Sequence, residues 1–135
     1  MITSACSSGK TLDASAALTN LMSQVTYSEQ LEWVDYEIFL KRAGIDTNIV
    51  SNATVYMGSA AVVDTIAMIE TTDTAAVEES LRSYIESQRA SYTSYRPDEV
   101  PKLDNAVLNT YGNSVVLCIT ADNDNAKAAI ESALK

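Results

Sequence analysis

Two runs of alternating residues, Ala106–Thr110 and Ser114–Thr120, flank Tyr111-Gly112-Asn113, and this arrangement restricts the chain more than any other feature. Gly beside Asn supplies the positive φ that a tight hairpin needs, so the two runs are expected to pair antiparallel. Val115, Leu117 and Ile119 should then face one side of a sheet, and Val116, Cys118 and Thr120 the other. A second hairpin is expected upstream. From about Ile49, Ala53, Val55 and Met57 alternate with Thr54 and Tyr56, Gly58-Ser59-Ala60 interrupts, and Thr65–Thr71 resumes as a strand.

Helical spacing accounts for most of what remains. Ala14, Leu18, Leu21, Met22 and Val25 form one apolar stripe after Thr11 or Asp13. Residues 26–34 read as a connector anchored by Tyr27, Leu31, Trp33 and Val34. A short helix fits Asp35 to Ala43, with Asp35 as N-cap and Gly44 as the stop. The longest helix is expected over about 74–95, capped by Thr72 or Asp73, with Val77, Leu81, Tyr84, Ile85, Gln88, Tyr92 and Tyr95 turned inward. Pro97 ends it by disfavouring the helical conformation at Arg96. After a loop over 98–102 and the second hairpin, a last helix buries Ala126, Ala129, Ile130, Ala133 and Leu134. The expected fold is therefore α+β, with the order ααββαββα and a four-stranded antiparallel sheet whose helices pack mainly on one face. Residues 11–135 should form a single domain behind a flexible leader at 1–10. At 135 residues and 47% apolar, such a domain buries roughly two-thirds of its unfolded surface without metals or disulfides.

Charge and composition narrow the chemistry. Eighteen acids against nine bases give a net charge of −9, which repels nucleic acid and anionic membrane surfaces. No apolar run reaches the ~20 residues that span a bilayer. The chain has no His, which removes Ser-His-Asp and Cys-His arrangements and the usual acid–base group at neutral pH. Its four glycines are scattered singly, so no phosphate-cradling loop is expected, and neither a cofactor nor a catalytic or metal-ligating set is assigned. The run from Asp122 to Asn125 lacks the Gly and Glu that a calcium loop needs six and twelve positions in, and reads as acids at a helix N-terminus. Cys118, among Val116, Leu117 and Ile119, is expected to be a buried, inert thiol.

Two sets of side chains stand out as candidate sites. Asp64, Asp98 and Glu99 could supply paired carboxylates for hydrolysis. Tyr92, Tyr95, Arg96 and Tyr111 could build an aromatic and cationic binding surface, or could simply line the core at the end of the long helix.

Further stretches carry a likeness to known proteins: Ala43-Gly44-Ile45-Asp46, residues 55–60, Tyr95 to Leu103, and Tyr111 to Cys118. In their order and spacing the chain resembles a family of small Gram-positive bacterial lipoproteins known only as a domain of unknown function. Such proteins carry a signal ending in a lipid-modified cysteine. Ser4-Ala5-Cys6-Ser7 matches the end of that signal, with Cys6 as acceptor, although Thr3 departs from the usual large aliphatic residue. The resemblance implies an extracytoplasmic address, with the membrane reached only through a lipid on Cys6, and leader residues that are the remnant of a signal. As written, without that lipid, the chain is expected to be soluble. The expected role is non-enzymatic binding of a protein or cell-wall component. A small carboxylate hydrolase, or a structural or inhibitory module docking through a sheet edge, are the alternatives.

Overall fold

A computed structural model describes residues 10–135; Cys6 and the expected lipid-acceptor sequence lie outside the described residues. In chain order the elements are α1 (Ala14–Gln24), β1 (Glu32–Val34), α2 (Tyr36–Ala43), β2 (Val50–Met57), β3 (Thr65–Thr71), α3 (Thr74–Tyr95), α4 (Val100–Asp104), β4 (Val107–Tyr111), β5 (Ser114–Ile119) and α5 (Asn123–Glu131). Short 3-10 turns precede β2 and α4. The sheet has five strands in the order β1-β2-β3-β5-β4, every neighbouring pair antiparallel.

This corrects the expected order and strand count. The added strand, β1, is three residues long at the sheet edge, and only Val34 is partly buried in it, so it shows no period to read. The added helix, α4, is five residues long and has Pro101 in its first turn, a position where the missing N–H costs no bond.

Helices cover both faces, not mainly one. In-register rows cross the sheet: Val34, Val55, Ala67, Leu117 and Leu108 on one face, Trp33, Tyr56, Ile66, Cys118 and Val107 on the other. The first face packs against Phe39 and Leu40 of α2 and Val77, Leu81, Tyr84 and Ile85 of α3. The second packs against Ala17 and Leu21 of α1 and Ala126, Ala129 and Ile130 of α5. All six residues of β5 are buried, as befits a central strand with apolar side chains at both alternations. The two ends of the described segment meet over the second face: Leu12 bridges Leu134, and the Lys135 N–H donates to Thr11 O at 2.9 Å.

Local signals set the element ends. Asp13, Asp35 and Asp73 each accept a backbone N–H at the start of α1, α2 and α3. Gly44 closes α2 at φ +73° and Gly112 turns the β4–β5 hairpin at φ +59°. Because only the first of the two turn residues has positive φ, the hairpin has the character of a type II′ turn. One buried carboxylate lies under the first face, where Glu78 accepts the Thr110 hydroxyl and pairs with Arg82 at 3.1 Å.

Candidate functional site

The loop between β2 and β3 gathers side chains from four parts of the chain. Glu29 accepts the Ser59 N–H at 2.8 Å and the Ser59 hydroxyl at 2.9 Å. These two bonds hold its carboxyl below the usual range. Tyr92, at the end of α3, donates its hydroxyl to Ala60 O at 2.7 Å. A Cβ at Gly58 would sit 2.5 Å from Val62 Cγ2, so any larger residue there requires Val62 to move.

At the base of this loop lies a buried ionic cluster. The short helix α4 and the turn before it put Glu99 and Lys102 three residues apart, on one side of a helical turn. Lys102 Nζ donates to Ser28 Oγ at 2.7 Å, Asp64 Oδ1 at 2.7 Å and Glu99 Oε1 at 3.0 Å. An ammonium has three N–H donors, and here all three are used. Asp64, only 1% exposed, accepts the Ser28 N–H on its second oxygen at 2.9 Å. Glu99 also accepts the Val63 N–H at 2.9 Å. Burial works to lower the Lys102 pKa, but the bonds from Asp64 and Glu99 and their charges outweigh it and hold the ammonium above its ordinary value. The carboxylates of Asp64 and Glu99 thus favour the ammonium form of Lys102.

Two depressions flank the Ser28–Lys102 bond and share Ala121, just past the end of β5. The larger, about 410 Å³, is lined by Thr26, Tyr27, Ser28, Asp122 and Asn125. The smaller, about 180 Å³, is lined by Asp98, Lys102, Asn105, Thr120 and Asn123. Asp122 stands at the N-cap position of α5 but makes no cap bond to its own helix. Its carboxylate instead accepts the Thr26 N–H at 2.9 Å and the Asn125 amide, and these bonds lower its pKa. The expectation that this acidic run caps the helix is thus corrected in its detail. Beneath the larger depression, Tyr27 and Cys118 lie 3.7 Å apart. Burial pushes the Cys118 thiol up to about 12 and raises Tyr27 well above the ordinary tyrosine value.

The candidate residues distribute unevenly. Asp64 and Glu99 do converge, but on Lys102; Asp98 lines the smaller depression without joining them, its side chain 71% exposed and its carboxylate 3.9 Å from Arg96. Tyr92 and Tyr95 meet edge to face with centroids 5.7 Å apart, Tyr92 buried and Tyr95 62% exposed. Arg96 follows directly, whereas Tyr111 is buried among the α1 and α5 side chains on the other face. Composition and motif do not mark Ser28 or Lys102 as site residues. Their only local signal is the three-residue spacing of Glu99 and Lys102. Among the described residues, no three acidic or cysteine side chains converge as a metal would require.

Residues 23–120 match the sequence profile of a family described as Domain of unknown function (DUF4358). The chain belongs to DUF4358. Every residue of the ionic cluster, the β2–β3 loop and all five strands falls inside the DUF4358 segment. The helix α5 and nearly all of α1 fall outside it, so the cover of the second face is contributed by flanking sequence. No curated protein and no solved structure matches the chain. No helix among the described residues is long and apolar enough to cross a membrane.

Proposed function

We propose that this DUF4358 chain is a non-enzymatic, extracytoplasmic binding domain, lipid-linked through Cys6, that holds a neutral cell-wall glycan in the paired depressions at the end of β5. The observation that carries the binding half is the state of Lys102. Its three donors are all committed, so the cluster is a fixed polar floor and not an acid–base pair. The exposed Ser28 hydroxyl accepts from Lys102 and keeps its own proton to donate. The rim adds Asn105, Asn123, Asn125 and Asp98, amides and carboxylates suited to hydroxyl and acetamido groups. A net charge of −9 favours a neutral glycan over an anionic polymer.

A carboxylate hydrolase draws less support, because Asp64 and Glu99 each commit an oxygen to the same ammonium and Asp98, on the rim, pairs with Arg96 instead. The address rests on the match of Ser4-Ala5-Cys6-Ser7 to a lipid-acceptor signal and on the resemblance to Gram-positive lipoproteins.

Titration with an N-acetylglucosamine tetramer, followed by backbone amide shifts, tests the binding half. Shifts at Ser28, Ala121, Asn123 and Asn125, with the sugar recovered intact, are expected. No shifts there, or a cleaved tetramer, would overturn it. Intact mass and detergent partition of the protein from its native cell test the address. A species beginning at Cys6 with acyl mass is expected; an unmodified, aqueous-phase protein retaining Met1 contradicts it.

A further inference from the structure

The helices that cover the second face stop short of one edge. Trp33 of β1 is 65% exposed, and its cross-strand neighbour Tyr56 is only half-buried. Beyond β1 the sheet ends, and no described residue donates to or accepts from its outer edge. Trp33 is also the only tryptophan in the chain.

The segment that carries this edge is acidic, with the bases Lys41 and Arg42 following only in the last turn of α2. Residues 26–40 contain four acids, Glu29, Glu32, Asp35 and Glu37, and no base. Glu29 is taken by Ser59 and Asp35 by the Glu37 N–H that it caps; Glu32, Asp35 and Glu37 are all exposed. Along a strand, side chains alternate between faces. A residue paired opposite Trp33 would lie against the indole, and one opposite Glu32 would lie beside the carboxylate on the other face.

From this placement we infer that the β1 edge accepts an extended, lysine- or arginine-bearing peptide segment of a partner protein as a sixth strand, with Trp33 as its apolar anchor. Backbone bonds to β1 give the strand its register, as in other edge additions. Acids at Glu32, Asp35 and Glu37 select cationic side chains, and the indole face adds a cation–π or apolar contact. A second copy of this chain is a poor occupant, since two molecules each carrying −9 repel. Exposed acids on a short edge strand also oppose self-pairing. The inference uses no part of the Ala121 depressions, so either can fail alone.

The test uses the full chain and two blocked pentapeptides, Lys-Phe-Lys-Val-Lys and the same peptide with Glu for each Lys. Trp33 fluorescence and backbone amide shifts are the readouts. The cationic peptide should shift the emission to the blue and move the amides of Glu32, Trp33 and Val34. It should bind about tenfold or more tightly than the acidic one, and Glu32→Lys and Trp33→Ala should each weaken it by about tenfold. Equal binding of the two peptides, no binding, or shifts centred elsewhere would overturn the inference. So would a concentration-dependent dimer that buries Trp33 without peptide, seen by sedimentation.

Discussion

Lys102 Nζ and Asp64 Oδ1 lie 2.7 Å apart although their residues are 38 positions apart in the chain. That single contact ties α4 to the start of β3 and fixes the floor of both depressions. Removing Lys102 leaves Asp64 and Glu99 buried without a counter-charge, whereas removing Asp64 leaves Lys102 still paired with Glu99. Lys102→Met should therefore destabilise the fold by about 3–5 kcal/mol, read from the midpoint of urea unfolding. The triple variant Lys102→Met, Asp64→Asn, Glu99→Gln should recover part of that loss, because no bare charge remains inside. An equal or greater loss in the triple variant would mean that the cluster contributes through its hydrogen bonds and not through charge compensation.

The pH dependence should be two-sided. Lys102 has a folded pKa above its ordinary value, so its contribution is complete below the unfolded value of about 10.4 and is lost as pH rises through the folded value. Glu29 and Asp122 have folded values below the ordinary ones. Their contributions are present above about 4 and lost as pH falls through the folded values. Hydrogen exchange at the Ser59 and Thr26 amides should accelerate, beyond the intrinsic pH effect, in the acid arm, while unfolding midpoints should hold steady between pH 6 and 9.

Cys118 has no exposed surface and a thiol pushed up to about 12. In a Cys6→Ser chain, a disulfide reagent at pH 8 should leave Cys118 unmodified until urea unfolds the protein. Fast labelling in the absence of denaturant would show that the Tyr27 side of the larger depression opens readily.

Gly58→Ala should disturb the strapped loop, since the new methyl would meet Val62 at 2.5 Å and Glu29 Oε1 at 3.4 Å. An overpacking cost of about 1–3 kcal/mol is expected, together with amide shifts that reach Ser59 and Val63. A neutral substitution would mean that Val62 swings aside freely.

Much of the frame was legible because its signals are local. Asp35 and Gly44 bracket α2, Asp73 and Pro97 bracket α3, and the apolar run at 65–71 is β3. The short elements were not legible. Glu32-Trp33-Val34 offers one side chain to the core, and Val100–Asp104 is little more than one turn. The second layer of helices left a trace that outweighs the one-face reading: Val115, Leu117 and Ile119 are apolar, and so are Val116 and Cys118. A strand apolar at both alternations needs cover on both sides.

The candidate site was legible only in fragments. Asp64 and Glu99 stand out as acids near a loop, but beyond the three-residue spacing of Glu99 and Lys102 nothing local joins them to Ser28 or to a shared counter-charge. Pairings across 36, 38 and 74 residues are made by the tertiary fold. Tyr111 illustrates the converse, since it lies on the opposite side of the sheet from Tyr92.

The protonation state of Lys102 tests the central claim most directly. Nitrogen-detected NMR of lysine side chains, assigned with Lys102→Arg, reads it across pH 6 to 11. The account predicts an ammonium throughout the neutral range, titrating above an ordinary lysine, with its protons slowed in exchange by Ser28, Asp64 and Glu99. A neutral amine near pH 7 would contradict it, and would turn the Ser28–Lys102 contact into a nucleophile and its base.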